Sequence, residues 1–322
     1  MRDERQNWYA VNDTSDVVSP SLLVYPDRIR KNILLMIEMT GDVSRLRPHI
    51  KTHKTAEIIR MQMEAGIEKF KCATIAEAEL LGMCGARDVL LAMQPVGANI
   101  ARLGALIRSF PDTRFSTLVD CENVIAELSN LAVNNDFIIP IFLDLNTGMN
   151  RTGIEPGEKA LKVYQAICNA PGLDAKGLHC YDGHIRHPDI IERKEVCDKA
   201  FEGVLELKSE LEKEQMAVPV IVAGGSPTFP IHAKREEVEA SPGTTILWDE
   251  RYDSLFADLN FLQAAVLFSR IISKPEKDLL CLDLGHKAIA PEMDFPRVKI
   301  FGLEDSKQIG QSEEHLVVRC PD

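Results

Sequence analysis

The chain has no apolar run near the ~18 residues that a membrane-crossing helix needs. Its opening residues, Met1-Arg2-Asp3-Glu4-Arg5, lead into polar sequence rather than an apolar signal core. It has no Cys-x-x-Cys pair: Cys72, Cys84, Cys121, Cys168, Cys180, Cys197, Cys281 and Cys320 are scattered along 322 residues. At that spacing they read as reduced thiols of a cytoplasmic protein, most of them small core residues. No lysine- and arginine-rich run occurs and the formal net charge is -12, which argues against nucleic acid as a partner. No Gly-x-Gly-x-x-Gly follows the first expected strand, so nothing favours a dinucleotide fold. Repeats, low-complexity tracts and disordered linkers are also missing. What remains is ordinary globular composition, 45% hydrophobic and 27% charged, enough for one large domain and a smaller one.

Strand-like apolar runs recur at His49–Lys51, Phe70–Ala73, Val89–Ala92, Phe115–Val119, Pro140–Leu145, Gly177–Tyr181, Val218–Ala223 and Thr245–Trp248. Between them lie 3.6-period segments, among them Ile75–Met83, Ile100–Ser109, Cys121–Leu131, Gly157–Asn169 and Ile190–Lys213. Strands alternating with helices predict an α/β protein with a parallel sheet, most simply a closed (β/α)₈ TIM barrel over residues 19–249. After Glu250 the texture changes. Ala264–Ser273, Leu279–Asp283, Val298–Leu303 and His315–Cys320 read as strands without long helices between them, a second, β-rich C-terminal domain over 250–322. Residues 1–18 are assigned to it, and Ser21–Tyr25 is a separate strand that can join it.

The most informative segment is Arg47-Pro48-His49-Ile50-Lys51-Thr52-His53-Lys54. It sits where the first barrel strand should end, and α/β proteins do their chemistry at the C-terminal ends of strands. A lysine there is a candidate Schiff-base nucleophile, because desolvation and cationic neighbours lower its pKa and free its lone pair. Other lysines are mostly solvated surface residues. The ends of later strands carry further candidates. Asp144-Leu145-Asn146-Thr147-Gly148-Met149-Asn150-Arg151 holds Arg151 on a short glycine turn, where a guanidinium can bind a carboxylate or a phenolic oxygen. His179-Cys180-Tyr181-Asp182-Gly183-His184 offers Tyr181 to stack on a ring and His184 as an acid/base, with His179 inside the strand and His187 on a solvated loop. Gly224-Gly225-Ser226-Pro227-Thr228 supplies the backbone donors and hydroxyls that a phosphate needs. Thr74 with Glu77 reads as a helix-capping box.

The Arg47–Lys54 segment resembles the signature of the D-threonine aldolase and eukaryotic-type D-serine dehydratase family, pyridoxal-phosphate enzymes of the alanine racemase fold. The other motifs follow that family's order from about Ser19 to His315. The resemblance implies that the cofactor is carried by the first lysine, Lys51, rather than Lys54. It implies catalytic roles among His49, His53, Arg151 and His184, which histidine is the base being left open. It also implies cofactor contacts from Tyr181, Gly225, Ser226 and Thr228. Ser241-Pro242-Gly243 is similar to the racemases' Arg-Pro-Gly turn, whose arginine meets the pyridine nitrogen. Having Ser241 there argues against a racemase.

The resemblance further implies a homodimer, a small D-amino acid as substrate, and a divalent metal, zinc or manganese. That metal is typically held by His-x-Cys or His-x-Asp beyond a Ser-x-Glu-His segment. Ser312-Glu313-Glu314-His315 is present, but no such pair follows it, so no metal ligand is identifiable. The expectation is that a further stretch of the second domain is missing from this sequence. The function so implied is a lyase on β-hydroxy D-amino acids, with retro-aldol cleavage to glycine and an aldehyde ahead of D-serine dehydration. A racemase, for which Tyr252 is a poor second base, and a non-catalytic cofactor-binding protein are the alternatives.

Overall fold

The computed structural model describes residues 8–321, so the expected assignments for residues 1–7 and 322 lie outside it. The chain divides into two compact units. One gathers the residues up to Arg28, Trp248–Leu255, and everything from Leu262 on; the other is Ile29–Leu247 with Phe256–Phe261. Strand β1 (Ser21–Val24) belongs to the first unit. The second carries β2 (Lys69–Cys72), β3 (Asp88–Leu91), β4 (Arg114–Val119), β5 (Ile139–Leu145), β6 (Leu173–Cys180), β7 (Val220–Ala223) and β8 (Val238–Ala240).

These seven strands form one parallel sheet in sequence order. Its two edges meet through the segment 46–49. The Arg47 N–H donates to the Ala240 carbonyl (3.0 Å) and the His49 N–H to Pro242 (2.8 Å), while the Lys71 N–H donates to Pro48 (2.9 Å). That segment takes the eighth place in the barrel with only two isolated bridges, Leu46 to Ala240 and His49 to Lys71.

Two expected strands are therefore corrected. His49–Lys51 is not a strand: His49 accepts the Lys51 N–H on its ring and starts a 3₁₀ turn, Ile50–Thr52, that lifts Lys51 off the ladder. Thr245–Trp248 is also not the last strand, since Thr244–Ile246 is 3₁₀ and Val238–Ala240 takes that place. Short apolar runs do not distinguish strand from helical turn.

The helices of this unit follow the 3.6-period segments: α2 (Ala56–Glu64), α3 (Ile75–Met83), α4 (Ala98–Ser109), α5 (Glu122–Asn135), α6 (Glu158–Asn169) and α7 (Ile190–Lys213), preceded by α1 (Pro26–Thr40). Thr74 caps α3 by accepting the Glu77 N–H at 3.1 Å, and Glu77 reaches back to the Ala73 N–H at 2.7 Å, one residue beyond the reciprocal partner of a capping box. Asp189 caps α7 through the N–H groups of Ile191 and Glu192. No helix among the described residues is long and apolar enough to cross a membrane.

Side chains two apart on a strand share a face, so the barrel interior fills in layers. The lower layer is ionic: Arg47, 2% exposed, donates to Asp88 (2.6 Å) and Glu239 (2.7 Å), and Lys69 and Arg114 pair with the same two acids. Above it Leu90, Leu118, Phe142 and Val222 form an apolar layer. Removing Arg47 leaves two buried carboxylates short of a partner, which costs more than the lost attraction alone. Arg47→Met is expected to lower the unfolding free energy by about 3 kcal/mol, read from urea unfolding midpoints at constant slope.

In the other unit β1 pairs with β9 (Ala265–Phe268). Strands β10 (Ile271–Glu276), β11 (Leu279–Leu282), β12 (Lys307–Gln311) and β13 (Leu316–Arg319) make an antiparallel sheet in the order β10-β11-β13-β12. The expected strand Ala264–Ser273 is thus two strands in two sheets. Val298–Leu303 is not a strand: Val298 and Ile300 pack on Leu282, Leu284, Leu316 and Val318 without joining a ladder, and Lys307–Gln311 is the strand instead.

Candidate active site

The top layer of the barrel carries the ionisable groups. Lys51, Lys71 and Arg151 surround the ring of Tyr181, with Lys51 Nζ 5.3 Å, Lys71 Nζ 5.9 Å and Arg151 Cζ 4.8 Å from its centroid. Positive groups over an aromatic face are attracted to it, but three together repel one another. Burial of its surroundings and, next, the Arg151 guanidinium hold the Lys51 ammonium below its usual pKa, although the side chain itself is exposed. Its Nζ has no hydrogen-bond or ion-pair partner among the described residues.

Lys54 differs. Its Nζ donates to the Lys51 carbonyl at 2.6 Å and lies 3.8 Å from Glu77, and its backbone has a positive φ of 46°. It is a folded-back tether for the turn, whereas Lys51 presents a free amine.

The two histidines of the motif separate. His49 is buried, and burial with Lys71 and Lys51 nearby puts its pKa well below the ordinary value. Its Nδ1 accepts the Lys51 N–H at 3.2 Å, so the ring is neutral and positions Lys51. His53 is also neutral, its pKa lowered by burial to about 4. It accepts the Thr55 N–H (3.2 Å) and faces Gln62 of α2, away from the cations, so the structure does not bring it into the group.

Arg151 is set by a rigid loop. Asn146 Oδ1 accepts the N–H groups of Gly148 and Asn150 (3.1 and 3.0 Å), an Asx arrangement that fixes the turn. Gly153, at φ +89°, packs so closely that a Cβ would lie 2.7 Å from the Leu145 carbonyl carbon. The exposed His184 lies against the same turn, its Nε2 3.0 Å from where a Gly148 Cβ would be. His179 binds Asp144 through Nδ1 at 2.7 Å while its buried Nε2 has no partner. His187 is half-buried.

A second turn packs against the edge of the ring. A Cβ on Gly225 would meet Tyr181 Cε2 at 3.1 Å, so the bare backbone approaches the aromatic edge. Ser226 Oγ accepts the Gly243 and Thr244 N–H groups at 3.2 and 2.9 Å, which brings two backbone donors to one point beside a glycine turn. Thr228 does not offer its hydroxyl there. It is fully buried, accepts the Gly225 N–H at 3.2 Å and donates to Asp182 at 2.7 Å, supporting the turn from behind. Ser241 donates to the Arg47 carbonyl at 2.8 Å.

Sequence reasoning missed the network beneath this turn. Asp182, Cys197 and His232 place one possible metal-ligand atom each within 4.8 Å. All three are engaged. Arg235 Nη1 donates to His232 Nδ1 at 2.5 Å, which leaves the proton on Nε2, and Nε2 donates to Asp182 at 2.7 Å. Burial raises the Cys197 thiol to about 12, so it stays protonated. A guanidinium bonded to His232, a protonated thiol and a carboxylate hydrogen-bonded on both oxygens do not fit a cation. The residues fit a positioning network for Thr228 and the turn.

Against known proteins, residues 24–249 match the family model described as "Alanine racemase, N-terminal domain", and residues 264–322 match that described as "Putative serine dehydratase domain". The chain is 28% identical to the 3-hydroxy-D-aspartate aldolase of Paracoccus denitrificans (strain Pd 1222), over 96% of this chain and 82% of the relative. It is also 28% identical to the D-threonine aldolase of an Arthrobacter species, over 85% and 72%. The crystal structure of D-threonine aldolase from Filomicrobium marinum superposes with a TM-score of 0.88 at 26% identity, covering 95% of this chain and 83% of that one.

Proposed function

Because the chain belongs to the family of the alanine racemase N-terminal domain, we propose that it is a pyridoxal phosphate-dependent lyase that cleaves β-hydroxy D-amino acids to glycine and an aldehyde. The observation that carries the site assignment is the pKa-lowered amine of Lys51 beside the Tyr181 ring, whose edge the bare backbone of the Gly225 turn also approaches. An amine, a flat aromatic face and an anion cradle are what an aromatic aldehyde phosphate requires, so the residues fit the cofactor. Lys51 would hold it through its amine, Tyr181 would pack on the cofactor, and the Gly225 turn with Ser226 would bind its phosphate, with Ser241 a further contact. When bound, pyridoxal phosphate supplies an electron sink for the pair released at the substrate's α carbon.

The remaining work belongs to the protein. Arg151 binds a carboxylate or a phenolic oxygen from its fixed loop, a charge already in place before the reaction. His49 keeps the Lys51 backbone in register. His184, exposed beside the Arg151 turn, takes a proton from the β-hydroxyl in this reading. The zinc or manganese implied by the resemblance finds no free ligand set among the described residues. The same proposal includes a cytoplasmic homodimer and a barrel domain bounded at residues 19 and 249.

The test is product analysis with pyridoxal phosphate present and D-threonine, D-serine or 3-hydroxy-D-aspartate supplied singly, each with and without zinc or manganese. Glycine with an aldehyde is expected. Ketoacid and ammonia would replace aldol cleavage by dehydration, and no product from any substrate would contradict a lyase.

A further inference from the structure

Lys71 was not distinguished by the sequence motifs and is not used by the chemistry above. It lies on β2, two residues after Lys69, so both face the barrel interior. Lys69 meets Glu239. Lys71, one layer higher, is 2% exposed and has no hydrogen-bond or ion-pair partner among the described residues. The Tyr181 ring centroid lies 5.9 Å from its Nζ. An ammonium has three donors and a ring face accepts none of them as a carboxylate would. A buried cation without a counter-ion is costly and is relieved by an anion. The neighbouring acid Asp144 is taken up by His179, and Asp182 by His232 and Thr228. No acid among the described residues is in direct hydrogen-bond or ion-pair contact with Lys71, whose amine shares the Tyr181 ring with Lys51 and Arg151.

We propose that Lys71 is an anion-binding residue of the active site, holding an anionic oxygen that arrives with a ligand. Two ligands can bring that oxygen: the ring oxygen of the cofactor, or a second carboxylate on a dicarboxylic substrate. Burial, first, and Lys51 beside it lower the Lys71 ammonium to about 7, against the opposing pull of Asp182, Cys180 and Asp144, so an anion would restore its charge. The inference rests on the pyridoxal-phosphate reading of the site.

The experiment uses the full chain as wild type, Lys71→Met and Lys71→Gln, all followed by absorbance. Pyridoxal phosphate is titrated into apo-protein, and D-aspartate or D-alanine into cofactor-loaded protein. A charge-assisted hydrogen bond lost from a buried site lowers affinity about tenfold or more. Loss of that size in the cofactor titration, in both variants, assigns the oxygen to the cofactor. Loss confined to D-aspartate, with D-alanine unchanged, assigns it to the second carboxylate. All three affinities within about twofold of wild type in both variants would overturn the proposal. A wild-type protein that does not bind pyridoxal phosphate removes the underlying reading as well.

Discussion

Lys51→Ala is expected to abolish covalent attachment of pyridoxal phosphate and to reduce lyase turnover on the order of 10³-fold or more, while Lys54→Ala keeps attachment. The difference follows from what each amine already does. Lys54 Nζ is bonded to the Lys51 carbonyl and lies 3.8 Å from Glu77. Its loss loosens the turn without removing the nucleophile. Lys51 has no such partner among the described residues, and burial and then Arg151 hold its pKa below the ordinary lysine value, which favours the neutral nucleophile. The absorbance of the loaded protein, read with turnover, separates the two. Attachment that survives Lys51→Ala and disappears in Lys54→Ala would reverse the assignment.

Lys71→Met is expected to stabilise the apo-protein by about 4 kcal/mol at pH 7. The Lys71 pKa falls from 10.5 to about 7 on folding, and each unit is worth about 1.36 kcal/mol. A folded-state pKa below the unfolded one means that the unfolded chain takes up the proton first. The penalty is full below pH 7 and fades as pH rises towards 10.5. Burial lowers the value most and Lys51 lowers it further, while Asp182, Cys180 and Asp144 raise it. Urea unfolding of both proteins at pH 7 and pH 9.5 should show the variant's advantage shrinking to roughly 1–2 kcal/mol at the higher pH. Equal stabilisation at both values, or a less stable variant, would contradict a desolvated amine at this position. A residue that weakens the fold and sits in the site is the pattern expected where function opposes stability.

Periodicity made most of the barrel legible. Ile190–Lys213 was read at its true bounds, and six of the central strands were recognisable as apolar runs between amphipathic segments. The failures have physical causes. Thr245–Trp248 is as apolar as a strand because Thr245 and Ile246 are buried, yet the backbone turns there. Val298 and Ile300 are likewise core residues without a ladder.

Within the site, Lys51, Arg151 and Tyr181 could be found because each lies in a distinctive sequence motif at the mouth of the barrel. Lys71 could not, because Lys69-Phe70-Lys71-Cys72 alternates as if its lysines faced water. Only closure of the sheet turns that face inward. The Asp182–His232 pair, fifty positions apart, leaves no local signal, and it also explains why Thr228 serves the turn from behind.

The central claim is that Lys51, and neither Lys54 nor Lys71, carries the cofactor. The most direct measurement is to load the wild-type protein with pyridoxal phosphate, reduce the linkage with borohydride, digest, and locate the modified lysine by mass spectrometry. Modification at Lys51 alone is the predicted result. Modification at Lys71 or Lys54, or at no lysine of the barrel mouth, would contradict it.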